Sequence, residues 1–150
     1  MRERINAALK EAMLAKDKLR TSTIRLMMAA IKDRDIALRG DDGASGLDDG
    51  GLMALLAKMV KQREESAATY ETAGRLELAE SERAEIAVIK DFLPKPLSAD
   101  QVDAAIEKAM AETGASSIRD MGKVMSVLKS QYAGRMDFGA VGGRVKAALG

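Results

Sequence analysis

The chain has only two prolines, Pro94 and Pro96, and they stand two residues apart in Leu93-Pro94-Lys95-Pro96. Each removes a backbone donor, fixes φ and disfavours α at the residue before it, so no helix is expected to run through this stretch. On both sides the apolar residues recur at helical spacing almost without a break. The chain is therefore predicted to be all-α. An N-terminal helical domain of about four helices covers 1–93, a linker covers 94–96, and a small C-terminal three-helix domain covers 97–150.

Ile5, Leu9 and Met13 repeat every four residues as the stripe of a first helix. Ile24, Met27, Met28, Ile31 and Leu38 form a second, with Asp17 as its N-cap and Gly40 as its stop. Residues 40–51, GDDGASGLDDGG, are Gly and Asp rich and read as a mobile loop. Their four Asp lack the spacing and closing Glu of an EF-hand, so no calcium site is expected. A third helix carries Leu52, Leu55, Leu56, Met59, Val60, Arg63, Ala67 and Tyr70 and ends at Gly74. A fourth carries Leu76, Ala79, Arg83, Ile86, Ile89 and Leu93. Beyond the prolines, Ser98 and Gln101 have the spacing of a capping box ahead of Val102, Ile106 and Met110, with Gly114 as the stop. Ser117 or Asp120 can cap the next helix, whose core face is Met121, Val124, Met125 and Leu128. After the turn 132–135, Asp137 caps a last helix with Val141, Val145 and Leu149 inward. Gly139, Gly142 and Gly143 lie inside that helix at a cost of about 0.8–1 kcal/mol each against Ala, which suggests close helix packing.

Composition removes much chemistry. With no His and no Cys there is no Cys or Cys/His zinc site, no thiolate nucleophile, no Ser-His-Asp triad and no disulfide. Aromatic residues make up 3%, which argues against a base-stacking surface for single strands. No catalytic residue, cofactor or metal is expected. Glu77, Glu80, Glu82 and Glu85 share one helix with Arg75, Arg83 and Lys90 interleaved, which reads as a solvated charged face. Thr21, Ser22 and Thr23 lie near a helix start beside Lys18, Arg20 and Arg25, but no glycine-rich phosphate loop accompanies them, and the hydroxyls read as closing a helix–helix contact. The Met residues at 27, 28, 59, 121 and 125 fall on core stripes. No apolar run approaches membrane length, and residues 1–18 are amphipathic and acid-bearing, unlike a leader, so a cytoplasmic protein without membrane contact is expected.

A formal net charge of +1 conceals blocks. Residues 1–39 hold ten Lys/Arg and five Asp/Glu; residues 113–150 hold six against two. Those six are Arg119, Lys123, Lys129, Arg135, Arg144 and Lys146, set on the last two helices and their surroundings, away from the apolar positions. A small cluster of cations neutralises phosphates without reading bases, and folded RNA is recognised by shape without an aromatic platform. These six are the candidate nucleic-acid-binding residues.

Three strings then carry a family resemblance: KDKLRTSTIRLMMAAIKDRDI, MVKQREESAATYETAGRLELAESERAEIAVIKDFLPKPLS, and GASSIRDMGKVMSVLKSQYAGRMDFGAVGGRVKAAL. In this order they resemble the GatB/YqeY family, specifically the stand-alone YqeY-like proteins, over the whole chain except the Asp/Gly loop. The specific combination is KQR-ES-x₃-Y-x₂-AGR-x₂-LA, E-x₅-DFLP and DMGKVM. The resemblance implies an all-helical fold like the tail of the B subunit of the tRNA-dependent amidotransferase, which converts Glu-tRNA(Gln) or Asp-tRNA(Asn) and uses glutamine as amide donor in a carbon–nitrogen ligase reaction. It implies a role in translation in which this tail grips tRNA, chiefly through the small C-terminal domain. Asp120, Met121, Gly122, Lys123 and Arg135 match that part, and of these Lys123 and Arg135 suit phosphate. Met136 and Phe138 depart from the family's smaller residues. The ligase's catalytic portions are not in the matched part, so the chain is not expected to be an enzyme by itself. The implied partner is tRNA. A helical adapter for an amidotransferase or aminoacyl-tRNA synthetase, docking through the 52–93 helical pair, is the alternative, and a carbon–nitrogen ligase activity of the chain itself with glutamine as amide donor ranks below both. Oligomeric state is left open.

Overall fold

Four helices open where a side chain accepts from a free backbone N–H, and two are followed by a left-handed glycine. The computed structural model describes residues 1–42 and 46–150, and of residues 39–42 the backbone. Among the described residues the regular structure is α1 (Arg2–Leu14), α2 (Lys18–Asp42), α3 (Asp49–Thr72), α4 (Leu76–Lys90), α5 (Ala99–Thr113), a 3₁₀ turn (Ile118–Asp120), α6 (Met121–Gln131) and α7 (Phe138–Leu149). The fold is all-α. Asp17 accepts from the Arg20 N–H at 3.0 Å to open α2, and Asp48 accepts from the Gly51 N–H at 2.8 Å to open α3. Ser98 and Gln101 close a reciprocal capping box at 2.9 and 3.2 Å. Gly74 and Gly114 follow α3 and α5 in the left-handed region, at φ 75° and 66°.

The chain divides into two compact units, Met1–Pro94 and Lys95–Gly150. In the first, Ile5 of α1, Ile24 and Met27 of α2, Leu52 and Leu56 of α3 and Ile89 of α4 are sealed from solvent. α3 and α4 are antiparallel: Glu71, near the end of α3, pairs with Arg83 at 2.6 Å, while Arg63 and Glu64, about two turns earlier, pair with Glu85 at 3.3 Å and Lys90 at 3.7 Å, farther along α4. The acid-rich face of α4 is thus partly laced to α3, and Glu82 keeps one buried carboxylate oxygen without a hydrogen-bond partner. In the second unit, Val102 and Ile106 of α5, Val124 and Leu128 of α6, and Val141 and Val145 of α7 make the core.

Several expectations need correction. α2 does not stop at Gly40 but continues to Asp42; one glycine costs about 1 kcal/mol, which a 25-residue helix absorbs. The expected loop 40–51 is shorter, because α3 already begins at Asp49 under the Asp48 cap, and residues 43–45 lie outside the described residues. Leu47 is tied down: its N–H donates to Asp35 at 2.9 Å and its carbonyl accepts from Arg2 at 2.9 Å. Met13 is 49% exposed, and the buried stripe of α1 is Ile5, Ala8 and Ala12. A strict four-residue repeat drifts by about 40° per step, so Met13 has turned about 80° away from Ile5. Leu38 is exposed because Ile31 is the last buried residue of α2 before it, about 10 Å back along the axis. Leu76, at the start of α4, is exposed too. The hydroxyls of Thr23 and Ser22 bond back to the Leu19 carbonyl of their own helix at 2.8 and 3.1 Å, instead of bridging helices.

Candidate nucleic-acid interface

The second unit sets its cations by local geometry. Residues 115–117 leave α5 and turn through the 3₁₀ segment into α6. The Asp120 carboxylate folds back to accept the Ser116 and Ser117 N–H groups at 3.0 and 3.3 Å, so it closes the turn instead of capping α6. Those backbone donors hold its carboxyl below the usual Asp range, with the Lys123 charge adding to the effect. Ser117 instead serves as cap of the 3₁₀ turn. This turn presents Arg119 and Lys123, both exposed.

Lys129 and Lys146 are exposed as well, on α6 and α7. The structure does not merge these side chains into one face. At 3.6 residues per turn, Lys123 and Lys129 stand about 120° apart around α6, and Arg144 and Lys146 about 160° apart around α7. Two of the six are engaged within the unit. Arg144 forms an ion pair with Asp103 of α5. Arg135 is half-buried and acts as a strut: its Nε donates to the Lys95 carbonyl at 3.1 Å, while its own carbonyl accepts from the Leu97 N–H at 3.0 Å. That leaves Arg119, Lys123, Lys129 and Lys146 as the solvent-facing cations. The unit holds eight Lys/Arg and six Asp/Glu, a net of +2.

A cluster in the first unit was not legible in the sequence. The guanidinium of Arg4 lies 5.3 Å from the centroid of the Phe92 ring, and that of Arg20 lies 5.7 Å from the same centroid. Phe92 itself is buried. Arg20 also pairs with the Asp91 carboxylate at 2.8 Å, and Arg4 donates to the Asp91 carbonyl. Cation–π contacts of this kind contribute about 0.5–1 kcal/mol each at exposed sites. Residues from α1, α2 and the turn that follows α4 meet here, and no spacing in the sequence announces it.

Elsewhere a cleft of about 220 Å³ between α1 and α2 has Ile5, Met28 and Ile31 as apolar walls and the Arg2–Asp35 ion pair, at 2.7 Å, beside them. The Asp35 carboxylate raises the Arg2 pKa further above its already high value. Among the described residues no three acids are gathered as metal ligands, and no helix is long and apolar enough to cross a membrane.

Residues 2–149 match the family described as Yqey-like protein. Among curated proteins the chain is similar to "Altered inheritance of mitochondria protein 41, mitochondrial" of several yeasts. The Kluyveromyces lactis protein is 32% identical over 143 residues, covering 93% of this chain and 71% of that protein. The Lachancea thermotolerans protein is 36% identical over 106 residues, covering 69% of this chain and 54% of that protein. A Saccharomyces cerevisiae protein is 32% identical over 104 residues, with 68% and 54% covered. The chain thus spans about half the length of two of these three relatives. Their names correct the cytoplasmic expectation: proteins similar to this one are mitochondrial. The expectation rested on residues 1–18 being unlike a secretory leader; they hold helix α1.

Proposed function

We propose, on the premise that this chain belongs to the YqeY-like protein family, that it is a non-catalytic RNA-binding module whose ligand is tRNA. The observation that carries this reading is the set of solvent-facing cations Arg119, Lys123, Lys129 and Lys146 on a unit of net positive charge. The resemblance to an amidotransferase tail supplies the choice of tRNA. Lys and Arg side chains with no aromatic platform beside them suit the phosphate backbone of a folded RNA and not base edges. The strut role of Arg135 shifts the weight of the site from Arg135 to Lys123, Lys129 and Lys146.

The test is binding of the purified chain to total tRNA at two salt concentrations, beside a folded protein of similar charge. Affinity should fall steeply with salt. Replacing Lys123, Lys129 and Lys146 by Gln together should weaken binding by roughly tenfold or more at low salt and leave helicity unchanged. Binding no tighter than the control protein's would overturn the reading. A second reading, docking of an amidotransferase or synthetase on the α3–α4 pair, is favoured by Leu76 and Leu78, which are 62% and 41% exposed at one end of it. Salt-insensitive capture of one such protein without RNA is the outcome that would prefer it.

A further inference from the structure

Arg4, Arg20 and Phe92 form a second charged site, in the Met1–Pro94 unit. Two guanidinium groups, from α1 and α2, lie over one buried aromatic ring at 5.3 and 5.7 Å from its centroid. Their only carboxylate partner described there is Asp91, which binds Arg20 at 2.8 Å, while Arg4 meets the Asp91 backbone oxygen instead. The two guanidinium groups therefore share one carboxylate partner, Asp91, while the nearby Asp17 carboxylate is taken up by the Arg20 backbone N–H at 3.0 Å. An arginine stacked on a ring and held at one edge has lost most of its rotamer freedom already, and its planar fork keeps further donors for an oxygen-rich anion. Two like charges gathered on one ring repel each other, and an anion placed across both relieves that repulsion. The side chain of Arg20 is 31% exposed and that of Asp91 59%, so the cluster opens to solvent. Lys18, at the first position of α2, adds a further cation two residues from Arg20.

We propose that Arg4 and Arg20, stacked on Phe92, bind a backbone phosphate of the same RNA that the second unit contacts. The site rests on the tRNA reading above and extends it: the RNA is held through both units of the chain, with Asp91 orienting Arg20 and excluding a second phosphate from that edge.

The test uses the full chain and total tRNA. The variant Arg4→Gln/Arg20→Gln is compared with Lys58→Gln, an exposed cation of α3 distant in sequence from the cluster. Plots of log affinity against log salt should become shallower by roughly 0.7–0.9 for the double variant, as expected for one lost phosphate contact. They should keep the parent slope for Lys58→Gln. Arg4→Lys/Arg20→Lys retains both charges while losing the planar fork, and should recover most of the slope; a merely structural clamp would be lost in both double variants. As a readout that needs no variant, phenylglyoxal modification of the parent chain should be slowed by tRNA at Arg4 and Arg20 relative to exposed Arg75. If the parent binds tRNA while Arg4 and Arg20 react at unchanged rates, this site is overturned and the C-terminal reading stands. If the parent does not bind tRNA at all, both fall.

Discussion

At Gly46 the backbone has φ +104°, and an added Cβ would lie 2.4 Å from Oδ1 of Asp35. That oxygen is not free to yield, because Asp35 already holds Arg2 through two hydrogen bonds, at 2.7 and 2.8 Å, and the Leu47 N–H. Gly46→Ala therefore combines a left-handed backbone with a steric conflict and should cost on the order of 1–3 kcal/mol, read from denaturant unfolding. A substitution with no more than a few tenths of loss would contradict this geometry. Asp120 makes a different kind of prediction. Its carboxyl is held below the usual Asp value by the Ser116 and Ser117 N–H groups, so folding prefers the ionised form. With an unfolded value near 3.9, the associated stability is fully present above about pH 5 and is lost as pH falls through the depressed folded value. Asp120→Asn should thus lower the thermal midpoint at pH 7 by more than it does at pH 3. Equal shifts at both pH values would remove the assignment.

Among the elements, what the sequence announced were the local features: the Asp17, Ser98–Gln101 and Asp137 caps, the glycine stops at 74 and 114, and the proline break. Each depends on residues within four of one another, so local chemistry suffices to read it. Exposure on the flanks was less legible, as with Met13 and Leu38, because it depends on which neighbouring helix covers a turn. The candidate site shows the same division. That Lys123, Lys129 and Lys146 face solvent follows from the apolar stripes of α6 and α7. The engagement of Arg135 by Lys95 and of Arg144 by Asp103 joins residues about forty positions apart, and the Arg4–Arg20–Phe92 cluster joins three elements. The glycines of α7 correct one inference about packing. A Cβ on Gly142 would meet the Met121 and Met125 methyls at 3.6 and 3.9 Å, which is ordinary contact, and one on Gly143 would meet nothing within 4 Å. Close backbone approach within the chain therefore explains neither. Gly143→Ala should stabilise the second unit by about 0.5–1 kcal/mol through helix propensity and a stiffer unfolded chain. Thermal unfolding checks this, and a destabilised Gly143→Ala would show that the helix cannot accept a side chain there.

For the whole molecule, the consequence lies in how the apolar residues are apportioned. Among the described residues the hydrophobic core forms two clusters with no member in common, one within Met1–Pro94 and one within Lys95–Gly150. The smaller has nine buried hydrophobics, two of them Ala, and a core of that size gives a small unit little reserve of stability. Leu128 is its largest fully buried side chain. Leu128→Ala should remove about 2–5 kcal/mol, which exceeds what a marginal three-helix unit can lose without opening. If each cluster holds only its own helices, the loss stays within α5–α7. Hydrogen exchange on the full chain would then show amide protection falling about thirtyfold or more across α5–α7, with α1–α4 protected as before. Leu52→Ala should produce the mirror image, with exchange accelerated in α1–α4 alone. Protection lost in all seven helices from either substitution would mean that the chain unfolds as one cooperative body. The separation also bears on binding. An RNA held by both units would slow exchange in both, and Leu128→Ala would then weaken binding at the second unit while the slowed exchange around Arg4 and Arg20 persists.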